Sequence, residues 1–266
     1  MIIGIFSMKK TTLIIFLAVS LIFSCKEEIG NLSDLKDVKK IFPVTENYWF
    51  KYLYLILDKS GKHFEDSNTV ILMKVVSTET LLNKKSYVFH IIDTLGQCLF
   101  IQKYSIENNK IYIYSNLIND LVSEVESYFS VNLPIKIGSK WLLMADPIKK
   151  EWITYLNNID SDFINPKCRI VGKLWVAGNQ GSVKYININD QTIPAKEYIL
   201  VYQFKGYVKN EKNEIFKTNF AIKLHTWFGL NAGILESFVE PTYVDLHFLS
   251  FPYGGYKDKV IKFNIK

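Results

Sequence analysis

The sequence predicts a mainly β protein with a minor α component, built from consecutive antiparallel strands. Two observations carry this. Short runs rich in aromatic and β-branched residues recur along the chain, with turn residues between them at regular intervals. Within several runs, such as Lys110-Ile111-Tyr112-Ile113-Tyr114 and Val183-Lys184-Tyr185-Ile186, apolar and polar positions alternate, as expected of strands with one buried face.

The first element is an export signal spanning residues 1–24. A basic pair, Lys9 and Lys10, precedes an apolar run from Leu13 to Phe23. That run is about ten residues long, whereas a spanning helix needs ~20, so the segment reads as cleavable. Met8, directly before the basic pair, looks more like a natural start than Met1. The residues Leu21-Ile22-Phe23-Ser24-Cys25 resemble the lipobox of bacterial lipoproteins. That resemblance implies lipidation of Cys25, which would become the mature N-terminus. Residues 25–40 then read as the lipidated cysteine and a polar tether, and Lys26-Glu27-Glu28 looks like an acidic signal for surface display. The location expected is the outer membrane, with the domain facing the periplasm or the cell surface.

Residues 41–266 read as a single β-rich domain, with two similar halves suggested at 41–130 and 131–266. Strands are expected at Tyr48–Leu57, Thr69–Val76, Ser86–Ile92, Cys98–Tyr104 and Ile111–Tyr114. Turn signals at Lys59-Ser60-Gly61, Asn83-Lys84-Lys85, Leu95-Gly96 and Asn108-Asn109 separate them. Leu117, Leu121, Val122, Val125 and Phe129 recur at helical spacing behind Asn119-Asp120, which predicts one helix lying on the sheet. Strands resume at Lys140–Ala145 and Glu151–Leu156, then at Cys168–Val176, Ser182–Ile188, Glu197–Gly206, Phe216–Phe228, Ile234–Val239, Tyr243–Phe248 and Lys259–Ile265. Loops are expected at Asp146-Pro147, Asn157–Pro166, Gly178–Gly181, Asn210–Asn213 and Pro252–Gly255.

A degenerate repeat runs through this series. Phe42-Pro43, a turn and Trp49 align with Leu133-Pro134, a turn containing Gly138, and Trp141. Thr192-Ile193-Pro194-Ala195 leads into a strand, and Trp227-Phe228-Gly229-Leu230-Asn231-Ala232-Gly233-Ile234 forms a later hairpin signal. In this layout the chain resembles a widespread family of secreted bacterial lipoproteins with repeated Pro-turn-Trp motifs. Asn47, Lys196-Glu197 and Asn231-Ala232-Gly233 depart from the glycines usual there. The resemblance implies a curved open antiparallel sheet or half-barrel, similar to lipoprotein carriers and lipid-binding lipoproteins. It implies no established activity.

Searches for chemistry along the chain return no site. His63, His90, His225 and His247 have no His or Cys partner at metal-ligand spacing, so no metal or cofactor is expected and the rings should be satisfied by backbone or solvent. Asn158-Ile159-Asp160-Ser161-Asp162 opens like a calcium loop, but Phe163 and Arg169 occupy the positions needing Gly and Glu. Gly181-Ser182 lacks the Gly-x-Ser-x-Gly frame of a nucleophile elbow. Glu124 and Glu126 lie two apart and diverge on the predicted helix.

Cys98 and Cys168 can form a disulfide in an exported compartment, or each can stand as a free buried thiol. Net charge is +6, falling to +4 once Lys9 and Lys10 leave, with the lysines scattered singly rather than in a stripe. A nucleic-acid partner is therefore not expected. The function predicted is a non-enzymatic, membrane-anchored binding or envelope protein for an apolar or glycan ligand. The alternative is a structural or assembly component of a cell-surface protein complex.

Overall fold

The computed structural model describes residues 32–64, 68–115, 139–164, 167–247 and 250–264. The expected signal segment, Cys25, the helix expected at Leu117–Phe129 and the Pro-turn half of the second repeat lie outside the described residues. The first half of the sheet comprises β1 (Trp49–Ile56), β2 (Thr69–Leu81), β3 (Lys84–Ile92), β4 (Cys98–Glu107), β5 (Lys110–Ser115) and β6 (Lys140–Ala145). The second comprises β7 (Glu151–Ile164), β8 (Lys167–Ile188), β9 (Gln191–Asn210), β10 (Ile215–Gly229) and β11 (Gly233–Val239). A separate hairpin, β12 (Thr242–Asp245) and β13 (Ser250–Tyr253), precedes β14 (Tyr256–Asn264).

Twelve of these strands form one antiparallel sheet in the order β6-β5-β4-β3-β2-β1-β14-β11-β10-β9-β8-β7. Two-residue turns with positive φ join the hairpins at Leu82-Asn83, Asn108-Asn109 and Asn189-Asp190. This geometry matches strand twist and suits Asn and Asp. The expected mainly β fold of curved antiparallel sheet is what forms, and it curls further than a half-barrel. The two edge strands are consecutive in sequence, so the loop Asp146–Lys150 brings the sheet's ends together and leaves it nearly closed as a barrel.

Closure uses side chains in place of a strand ladder. Leu143 N–H donates to the Thr154 hydroxyl at 2.5 Å, and the Trp152 indole donates to Leu143 O at 2.8 Å. The Gln180 side-chain amide donates to Asp146 O at 3.0 Å, extending the seam to β8. Asp146, fully buried in the connecting loop, accepts from the N–H groups of Ile148 and Lys149 at 2.9 and 3.0 Å, with Lys110 Nζ 3.3 Å from its other oxygen. Burial would raise this carboxyl, but those hydrogen bonds outweigh it and hold it below the ordinary aspartate value. Gly178 faces Trp152 across the ladder, and a Cβ there would lie 2.1 Å from the ring. The indole therefore occupies the space a side chain would need.

Two expected loops are strand. Gly178–Gly181 runs through β8, with a bulge opposite Glu197, and Asn157–Ile164 continues β7 without interruption. The glycines in this region serve close packing rather than turns. Gly172 and Gly206 face each other across β8 and β9, where a Cβ on either would sit within 2.8 Å of the Phe204 ring.

Residues 32–40, expected as part of a polar tether, instead pack against the barrel. Leu32–Lys36 forms a 3₁₀ turn and Val38–Ile41 a short helix, α1, capped by the Asp37 side chain accepting from Lys39 N–H. Leu35, Val38 and Ile41 recur every third residue on one face, and all are buried with Phe42. Charged neighbours mask this spacing in the sequence. Val38 N–H donates to Asn109 Oδ1 at 2.8 Å, Asn109 Nδ2 donates to Lys36 O at 2.9 Å, and Asn231 N–H donates to Lys40 O at 2.6 Å. The Phe42 ring stands 5.3 Å from Tyr104 and 5.5 Å from Phe228, so this end of the barrel is filled by its own chain.

Candidate functional site

Inward-pointing positions change character one residue pair below Phe228. Across the sheet, Tyr198 faces Thr226, Thr226 faces Ser237, Ser237 faces Asp258 and Asp258 faces Tyr54. The flanking pairs, Tyr52 with Val260 and Leu224 with Val239, are buried, which fixes this row on the inside. Strand neighbours lie about 5 Å apart, so Thr226, Ser237 and Asp258 span roughly 10 Å of wall. Three polar atoms on the row, Tyr198 Oη, Thr226 Oγ1 and Asp258 Oδ1, are shielded from solvent and have no hydrogen-bond partner among the described residues. Native interiors rarely leave such groups unsatisfied.

Asp258 is the costliest of the three. Burial pushes its carboxyl up to about 7, from an ordinary value of 3.8. Tyr52 and Tyr104 are near enough for their phenols to be raised by Asp258 as well as by burial. Tyr52 donates to Ile234 O at 3.2 Å, and Tyr202 bonds to Ser115. The lumen here is lined by phenols around one acid. Sequence reasoning missed Asp258 because the last strand was expected only from Lys259. The available signal was phase: Asp258 shares its parity with Tyr256 and Val260, the inward positions, while Lys257 and Lys259 take the outward ones.

A second polar cluster lies on the outside of the barrel. His225 Nδ1 is 2.7 Å from Glu197 Oε1, and its Nε2 is 2.8 Å from Glu240 Oε1. Glu197 Oε2 accepts from Ser182 N–H at 2.9 Å and from the Ser182 hydroxyl at 3.1 Å, which the β8 bulge aims at it. Burial would raise the Glu197 carboxyl, yet the bonds from His225 and Ser182 prevail and hold it below 4.5. For Glu240, burial is likewise outweighed, by Lys223 and His225. Glu236 joins Lys184 at 2.9 Å and Lys257 at 3.0 Å, and the Lys184 ammonium sits 3.6 Å over the Trp227 ring.

This cluster ties β8, β9, β10, β11 and β14 together rather than forming a catalytic set. Ser182 bonds to the Glu197 carboxylate and not to His225, so the serine–histidine contact of a hydrolase triad is not formed here. The two carboxylates occupy opposite ring nitrogens of His225 and do not converge on a common metal position; among the described residues no metal-binding group occurs. The histidine is thus satisfied by acids, where backbone or solvent was expected.

Other candidates fall away on geometry. Asn158, Asp160 and Asp162 alternate along β7, an extended conformation that cannot wrap an ion, and Asp160 is paired with Arg169 at 2.6 and 2.8 Å. A groove of about 390 Å³ beside β7 and β8 is lined mainly by Trp152, Ile153, Ala177 and Val201. Among the described residues no helix is long and apolar enough to cross a membrane.

Cys98 and Cys168 are both free thiols, the first exposed at the start of β4 and the second buried at the start of β8. Burial also raises the Cys168 thiol, further suppressing the reactive thiolate. Maleimide added to the native Cys25→Ala protein is expected to label Cys98 rapidly and Cys168 only after denaturation. Mass spectrometry of the labelled peptides checks this, and equal rates would contradict the placement.

No protein-family model matches the chain, and no curated protein matches it. Among solved structures, it is similar to a protein named as a lipoprotein from Parabacteroides distasonis ATCC 8503, with 12% identity, 84% of this chain and 98% of that chain covered, and a TM-score of 0.41. It is also similar to a protein named as an exported protein with a YmcC-like fold from Bacteroides fragilis NCTC 9343, with 12% identity, the same coverage and a TM-score of 0.39. Likeness at this level assigns the chain neither a family nor a site.

Proposed function

We propose that this chain is an exported lipoprotein, anchored in the outer membrane through Cys25, whose barrel binds a small polar ligand in its lumen and catalyses no reaction. The observation that carries the binding role is the row of orphaned polar atoms at Tyr198, Thr226 and Asp258. Buried groups left without partners mark places where something outside the chain completes the hydrogen bonding. Of the two ligand chemistries the composition leaves open, apolar and glycan-like, a polar row favours the second. The export role is supported by the basic pair, the short apolar run and Cys25.

Two measurements test this. Wild-type protein is expected to take up labelled palmitate and fractionate with membranes, while Cys25→Ala takes up none and is released. Retention of Cys25→Ala in the membrane, with no label on wild type, would refute the anchor. Native mass spectrometry of the released protein is expected to show a small-molecule adduct. A bare mass, together with no thermal shift in a panel of small polar compounds, would refute the binding role.

A further inference from the structure

The lumenal acid lacks a counter-charge. Among the described residues no Lys, Arg or His forms an ion pair with Asp258. Lys257 and Lys259 flank it in sequence but take the outward phase of the strand, where Lys257 binds Glu236. Lys196, which faces Phe228 across β9 and β10, spends its ammonium on Gly181 O at 2.8 Å. The groups facing Asp258 are Tyr54 on β1 and Ser237 on β11, with Tyr52 and Tyr104 close by. All are neutral. A carboxyl with one oxygen shielded in such surroundings is completed by a proton, by water or by a cation brought from outside.

We propose that the lumenal row takes a small organic cation bearing a primary ammonium group, with Asp258 as its counter-ion. This rests on the lumenal binding role argued above. An ammonium offers three N–H donors on a compact centre. One satisfies Asp258 Oδ1, and Ser237, which faces Asp258 directly across β11 and β14, is the row's nearest hydroxyl for a second. A quaternary ammonium has no donor and would leave the carboxyl unsatisfied. The phenol rings around the acid add attraction through their π faces.

The acid's raised value makes binding pH-dependent. Below about 7 a cation must displace the Asp258 proton, so affinity rises about tenfold per pH unit and levels off above it. The nearby phenols of Tyr52 and Tyr104 are pushed by burial above their ordinary value of 10, so they do not titrate in this range.

The test is calorimetric titration of the released protein with butylamine, butanol and tetramethylammonium at pH 6 and pH 8. Butylamine is expected to bind at least tenfold tighter than the other two at pH 8 and to lose most of that advantage at pH 6. Asp258→Asn should abolish the advantage, and Ser237→Ala should reduce it several-fold. If butanol binds as well as butylamine, and Asp258→Asn changes nothing, the cation is refuted while lumenal binding stands. If no probe binds, and no adduct is found in the native protein, both fail and the row is completed by water alone.

Discussion

Asp258→Asn is expected to stabilise the ligand-free protein at pH 8 and to leave it almost unchanged at pH 4. The folded carboxyl titrates at about 7 and the unfolded one at 3.8. Between those values the unfolded chain has released its proton and the folded chain still holds it, so stability falls as pH rises through this window. At about 1.4 kcal/mol per pH unit, the loss complete above 7 is at most on the order of 4 kcal/mol. For a chain of this size that corresponds to roughly 10 °C in thermal midpoint. The amide cannot ionise, so the variant should lose the alkaline-side decline. Its acid-side decline should remain, because Glu197, Glu240 and Asp146 have depressed values. Their stabilisation is present above the unfolded values and is lost as pH falls through the folded ones. Thermal unfolding from pH 3 to 9 checks both limbs, and parallel curves for wild type and variant would show that Asp258 is not buried as a neutral acid.

Trp152→Ala is expected to cost about 3–5 kcal/mol and to open the barrel at one place. The indole is 7% exposed, lies against Gly178 and holds Leu143 O. No strand ladder joins β6 to β7 among the described residues, so the seam rests on this ring and on side-chain bonds such as that of Thr154 to Leu143 N–H. Removing the ring leaves a cavity and strands a carbonyl. Urea unfolding should give the lost stability, and hydrogen exchange should show amides of Lys140–Ala145 losing protection before those of β9 and β10. A cost under about 1 kcal/mol with β6 still protected would mean that closure is held elsewhere.

Much of the sheet was legible because alternation and turn chemistry speak for themselves. Lys140–Ala145 is read with the bounds the structure gives, and β1, β5 and β10 differ by a residue at each end. Asn83 and Asn108-Asn109 announce their hairpins because positive φ suits those side chains. The errors share a cause. Glycine at 178 and 181 and the polar run from Asn157 read locally as loop signals. Their roles are set by partners distant in sequence: the Trp152 ring, the Glu197 carboxylate and a ribbon face turned to solvent. Closure of the sheet has no local signature at all, since it depends on which strands end up as edges. The lumenal row is of the same kind. Thr226, Ser237 and Asp258 come from three strands, and only the register brings them onto one line.

The fold of residues 32–42 also decides how the molecule bears load. With α1 packed into the core, Cys25 lies seven residues before Leu32, a reach of at most about 25 Å. A protein moored by lipid at Cys25 would feel drag from its surroundings along this line. The pull would arrive first at Leu35, Val38, Ile41 and Phe42, and at the bonds from Asn109 and Asn231. Tension would therefore be taken up in the middle of the core and spread to several strands at once, instead of peeling one strand from an edge.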